Sequence, residues 1–167
     1  FWSSGNNTMT NTLCTSTVVK FGKSAPAAKL TSTNMLVLAA GNLFTGEFAY
    51  KSFTGTVQFG QTYAFTARPS AMKVKYHAHV GTVDKVRTSG DIFPYIKKGD
   101  PDMARIFVAI VDWNAPHEVV SGMTTTKGAW DPEKGIDNVS EGKILGYGSL
   151  WITQSTEGED MQDAELD

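Results

Sequence analysis

The chain has 167 residues, enough for one domain with a hydrophobic core of its own. Apolar residues make up 41% and the formal net charge is −2, so there is no basic surplus of the kind nucleic acid requires and no Lys/Arg cluster for an anionic membrane surface. No run is long and apolar enough to cross a bilayer as a helix; the strongest, "MLVLAAG" at 35–41, is strand-length.

The chain opens at Phe1 with no initiator Met, charged n-region or cleavage site, which reads as a processed piece of a longer product. Strand signals then follow one another. "TSTVVKF" is β-branched, and "KLTST" and "MLVLAAG" come after it. "LFTGEFAY" places Phe44, Gly46, Phe48 and Tyr50 at period two. "TVQFG" and "TYAFTA" come next, with Gly55 and Gly60 as punctuation. From Met72 the chain alternates, with Val74, Tyr76, Ala78 and Val80 on one side and Lys73, Lys75, His77 and His79 on the other.

"ARIFVAIVDW" is apolar at nearly every position and predicts a central strand covered on both faces. "KILGYGSLWIT" is the last strong strand signal. No stretch of ten residues combines a 3.6 period with caps; short helical turns are conceivable near Met103 and within 132–138. These signals predict an all-β antiparallel sandwich, one domain over residues 1–153. Residues 154–167, "QSTEGEDMQDAELD", are acidic with little to bury, and read as a solvated tail or as a truncated continuation of the domain.

Cys14 is the only cysteine, so the chain forms no internal disulfide; nothing in "NTLCTST" activates a thiol, and a small buried side chain is the expectation. His77 and His79 share a strand face and could reach one metal, but a catalytic zinc wants a third ligand, such as His117 or Asp112. Their neighbours Lys73 and Lys75 would repel a cation, so a solvated face is the simpler reading. Asp100 and Asp102 flank Pro101; they are a start toward structural calcium, which needs six to eight oxygens, and otherwise a tight turn.

No G-x-S-x-G, S-x-x-K or Cys–His pattern marks a nucleophile. Glu47, Asp112, Glu118, Asp131 and Glu133 are the acids from which a glycosidase pair would be drawn, and no two alternate on one strand.

Aromatic residues are the richer signal. Sugar rings stack on flat amphipathic side chains while polar neighbours bond the hydroxyls. Trp130, in a Gly/Asp/Lys-rich loop, is expected to be exposed, and Trp113, between Asp112 and Asn114 at a strand end, comes second. Tyr95 lies in the long connection 82–102, and Trp130 in the connection 114–142. Trp2 and Trp151 are expected in the core. Arg68, held extended by Pro69, offers either a packed stem or a polar anchor for a ligand.

Taken together, "AAGNLFTGEF", "FGQTYAFTARPSAMKVKYHAHVG" and "DMARIFVAIVDW" resemble the PCMD family, a carbohydrate-metabolism domain of Bacteroidetes surface lipoproteins. "FWSSGNN", "KSAPAAKLTST" and "KILGYGSLWIT" fit the same pattern in the same order. The resemblance implies a β-jelly roll on an exported protein, at the cell surface or outer membrane through a lipid anchor outside this chain, that binds or processes carbohydrate. Family members continue into further strands where this chain has "QSTEGEDMQDAELD".

The resulting expectation is a carbohydrate-binding module. Trp130, Trp113 and Tyr95 would stack on sugar, with Arg68, Asp112 and Asn114 as polar contacts. Two other classes stand beside it: a glycoside or metal-assisted hydrolase, and a surface assembly protein whose open sheet edge takes a strand from a protein partner.

Overall fold

The computed structural model describes residues 1–21, 23–34, 38–64, 66–86, 96–122, 126–133, 139–158 and 160–167. Over these the chain is all-β and antiparallel, with no helix and no closed barrel among the described residues. In chain order the strands begin with β1 (Trp2–Ser3), β2 (Cys14–Phe21), β3 (Lys23–Leu30), β4 (Thr33–Asn34) and β5 (Leu38–Ala39). There follow β6 (Phe44–Lys51), β7 (Thr54–Phe59), β8 (Met72–Tyr76) and β9 (Ala104–Trp113). The last are β10 (His117–Ser121), β11 (Thr126–Lys127), β12 (Gly142–Ile152) and β13 (Gln162–Leu166).

The largest sheet has the order β1-β6-β7-β10-β11, and four two-stranded ribbons accompany it: β12-β9, β13-β8, β2-β3 and β4-β5. In the large sheet the period-two aromatics of β6 point inward. Phe44 meets Phe59 edge to face at 5.1 Å, and the Tyr50 hydroxyl donates to Met9 Sδ at 3.2 Å. Gly46 is required here: its φ is +147°, and a Cβ would lie 2.1 Å from the Gln58 carbonyl oxygen. The opposite face carries Glu47, Ala49 and Lys51, in register with Gln58, Thr56 and Thr54 of β7.

β9 and β12 pair over ten registered residues, with a bulge at Leu145 between Ile144 and Gly146. Cross-strand partners share a face. One face therefore bears Arg105 and Phe107 with Trp151 and Ser149, and the other bears Ile106 and Val108 with Leu150 and Gly148. On the second face Ile152 and Leu166 are buried. Gly148 lets the end of β13 approach, since a Cβ there would stand 2.8 Å from the Asp167 carbonyl oxygen.

Several expectations need correction. β9 is neither central nor covered on both faces: among the described residues it pairs with β12 alone, Phe107 on one face and Ile110 on the other are exposed, and no side chain of the strand is fully buried. "TYAFTA" forms no strand; its described residues are irregular and exposed. The connection 114–142 is not simply a loop, since it contains β10 and β11. Trp2 is not core but 65% exposed. No helix occurs at Met103, and 134–138 lies outside the described residues.

Residues 162–166, within the acidic end, form a strand. β13 pairs with β8 so that Asp163 faces Lys75 and Glu165 faces Lys73. The ion pairs measure 2.6 Å and 3.6 Å and lie at the surface, where each contributes about 0–1 kcal/mol. Attachment rests more on Leu166, which is 2% exposed.

The buried apolar set among the described residues is small: Leu13, Val83, Ile152, Leu166 and Pro132. The accessible surface is 11783 Å², against about 8,100 Å² for an ordinary folded monomer of this mass. Phe107 and Ile110 of β9 and Leu145 of β12 are among the large apolar side chains left facing water.

Two outcomes follow for stability. β6 and β7 are joined by a two-residue loop, Ser52 and Phe53, with φ of 51° and 62°; this left-handed pair suits Asn-Gly, and a bulky Phe there is strained. Replacing Ser52→Asn together with Phe53→Gly should raise urea-unfolding stability by about 1 kcal/mol. Leu166→Ala should lower it by about 2–3 kcal/mol, and amide exchange should show β8 losing protection together with β13.

Candidate functional site

The structure brings Trp113 and Trp130 together. Their rings meet edge to face at 5.1 Å and 67°, His117 lies 5.8 Å and 5.9 Å from them, and Phe107 is 6.3 Å from Trp130. Gly60 closes against the Trp113 ring. Both tryptophans are half-buried, and each indole N–H is buried with no acceptor. The expectation of an exposed Trp130 is therefore corrected: the rings are spent on one another, a packed wedge where the chain passes from β9 into β10.

The remaining expected residues do not join them. Asp112 is exposed and registers with Lys143; as the strand neighbour of Trp113 it points to the opposite face. Asn114 is exposed, and its amide donates to the Glu141 carbonyl at 2.9 Å. Arg68 is exposed in the irregular segment before β8. Tyr95 lies outside the described residues.

Under the wedge, His117 is buried. Its Nε2 lies 2.8 Å from the Gly128 carbonyl oxygen, and its Nδ1 lies 3.2 Å from Glu141 Oε2 without hydrogen-bond alignment. Burial pushes the Glu141 carboxyl up, but His117, its own backbone amide and Ser140 outweigh that and hold it below the usual range.

The other His and Asp candidates are accounted for locally. His77 and His79 are exposed, and His77 Nε2 meets the Gly158 carbonyl at 3.1 Å. Asp100 accepts the Lys97 amide at 2.9 Å and Asp102 the Met103 amide at 2.8 Å, the contacts of a turn. Among the described residues no group of three His, Cys, Asp or Glu is arranged to hold a metal ion.

Arg105 organises a polar hub that sequence reading missed. Its guanidinium lies over Trp151 at 4.7 Å and Phe107 at 5.3 Å. It bonds Asp131 Oδ1 at 3.0 Å and the Tyr147 hydroxyl, and meets Glu133 Oε1 at 3.1 Å. The same Glu133 oxygen accepts from Ser149 at 2.7 Å, and from Tyr147 and Trp151 at 3.3 Å each. Ser149 most of all, then Trp151, Arg105 and Tyr147, hold the Glu133 carboxyl below the usual range against its partial desolvation. For Arg105, burial pulls the pKa down, and the bonds to Asp131 and Tyr147 more than reverse it. The available signal was one arginine in an apolar run, since a charge that is drawn inside needs partners.

A different surface offers room for a ligand. A cleft of about 370 Å³ is lined by Glu47, Gln58, Gly60, Gln61, Thr62 and Pro116. Register sets its floor: Glu47, Gln58 and Glu118 stand side by side on β6, β7 and β10, on the outward face of the large sheet. Gln58 Nε2 donates to Glu118 Oε2 at 2.5 Å. Exposed aromatics stand at the same end. Trp2 registers with Thr45 and so shares the face of Glu47, and Tyr63 follows Thr62. Phe1 lies 6.0 Å from Trp2 and 6.2 Å from Tyr63; the three rings are 61%, 65% and 68% exposed for Phe1, Trp2 and Tyr63. Glu47 and Glu118 were visible as acids in the sequence, but only strand register shows that they flank one amide.

No family model, no curated protein and no solved structure matches this chain. No helix among the described residues is long and apolar enough to cross a membrane.

The lowered Glu141 predicts a pH effect with a definite sign. A depressed carboxyl stabilises the fold above its unfolded pKa, and that contribution is lost as pH falls through the folded value. Urea titrations should find Glu141→Gln less stable than wild type at pH 7, with the gap closing as pH falls below the ordinary carboxylate range, near 4.3.

Proposed function

We propose that this chain is a carbohydrate-binding module, and that it binds glycan at the cleft over Glu47, Gln58, Gln61 and Thr62 rather than at the Trp113–Trp130 wedge. The observation that carries the reading is the combination of a polar concavity with an uncovered aromatic rim. Carboxylate and amide groups suit sugar hydroxyls, and flat rings suit the apolar faces of a pyranose. A sheet face also suits an extended chain better than a closed pocket would, and a second hollow of about 330 Å³, lined by Ala49, Lys51, Thr54 and Thr56, continues along it.

The same reading includes the finer fold and setting: a jelly-roll sandwich of the PCMD type on an exported surface lipoprotein. The support for these is the sequence resemblance together with the all-β antiparallel architecture.

A glycan array on the purified chain, followed by titration of the best ligand, tests the proposal. Trp2→Ala, Tyr63→Ala and Glu47→Gln should each weaken binding about tenfold, roughly 1.4 kcal/mol, with unchanged unfolding midpoints. Trp113→Ala should lower the midpoint instead and leave affinity intact in the folded fraction. Glycan binding indifferent to all three cleft substitutions would put the site elsewhere, and a blank array from folded protein would end the reading.

A further inference from the structure

The Arg105 hub contains more donors than its acceptor can use. Three hydrogen bonds, from Ser149, Tyr147 and Trp151, and the Arg105 guanidinium all converge on one oxygen, Glu133 Oε1. A carboxylate oxygen offers two lone-pair sites. Arg105 Nε is in addition buried with no acceptor. Buried polar groups are nearly always satisfied, so the unpartnered Arg105 Nε and the crowding of four donors on one oxygen fit a group that sets more than one oxygen among these donors.

The parts differ in how firmly they are held. The Arg105 and Asp131 side chains are 14% and 15% exposed, and joined at 3.0 Å they form a neutral pair. Pro132, fully buried, fixes the loop beside them. Glu133 is the outermost member, 38% exposed, so its carboxylate can leave toward water while the donors stay. Exchanging it for a singly charged carboxylate or sulfate ester changes no net charge in the hub. The guanidinium meanwhile remains clamped over Trp151 and Phe107, oriented before any ligand arrives.

We propose that Arg105, Tyr147, Ser149 and Trp151 form a binding site for an oxyanion carried by a ligand, a carboxylate or a sulfate ester, and that Glu133 is its resident occupant. Ligand oxyanion displaces the Glu133 side chain and takes over its donors. This site is separate from the cleft beside Glu47 and does not depend on the glycan reading.

The test is a calorimetric titration of wild type and Glu133→Ala with sodium sulfate, acetate and glucuronate at low ionic strength, with glucose as the neutral control. The Trp151 indole N–H resonance is followed in parallel. Glu133→Ala should bind at least one oxyanion ten or more times tighter than wild type, shift the Trp151 indole on binding, and ignore glucose. Acetate and glucuronate binding without sulfate would identify a planar carboxylate site; sulfate binding would identify a tetrahedral one. Adding Ser149→Ala should weaken whichever ligand binds. Glu133→Gln, which also removes the resident charge, replaces the alanine variant if that one does not fold. A folded variant that binds none of the three oxyanions, or binds them no better than wild type does, overturns the proposal.

Discussion

The pairing of β9 with β12 decides which side chains share a face, and a slip of one residue would turn every one of them over. In the observed register Arg105 stands opposite Trp151 and Phe107 opposite Ser149. That places a cation, two rings and a hydroxyl in one patch, onto which the loop carrying Asp131 and Glu133 closes. The other face of the same ribbon carries Leu150 and Ile152, and on it Gly148 meets Leu166 and Asp167 at the end of β13. One ladder thus serves a polar site in front and an apolar seat behind. The Leu145 bulge ends the alternation just before the wedge of Trp113 and Trp130.

Polar satisfaction is unevenly distributed across the molecule. Around Arg105 donors crowd a single oxygen, while a short distance away two indole N–H groups have no acceptor at all. Burying such a group without a partner costs about 1–3 kcal/mol. The wedge is therefore held by ring packing in spite of its polar atoms, whereas the hub is held through them. The outward face of the large sheet follows a third rule, with Glu47 and Glu118 open to water and Gln58 half-buried between them.

The sequence made the fold class legible wherever alternation was clean. The period-two aromatics of β6 and the Lys/His face beginning at β8 are where that pattern places them. It misled where apolar content stood in for burial. "ARIFVAIVDW" reads as a central strand, yet β9 has a neighbour on one side only among the described residues. "TYAFTA" has strand composition but no partner strand. Tryptophans were misjudged in both directions. Trp130 sits in a polar loop, yet the loop folds back and packs it, while Trp2 lies on an exposed two-residue strand. The cleft and the Arg105 hub were illegible for one reason. Each is assembled across strands far apart in sequence, and register is not written in any single segment. The acids of "QDAEL" did carry a clue, since they alternate at the same spacing as the lysines of "MKVKY" that they face.

Those lysines have a consequence for the order in which the chain folds. β8 and β13 are widely separated in sequence, so their pairing is among the contacts slowest to close. Until it closes, β8 has no strand partner among the described residues, and its backbone could recruit any passing strand. Lys73 and Lys75 make that edge a poor template for other chains, because charge on an edge strand discourages pairing with copies of itself. The strand that finally docks carries Asp163 and Glu165 at the matching positions. The same two charges thus act first as a guard against wrong partners and then as a selector for the right one.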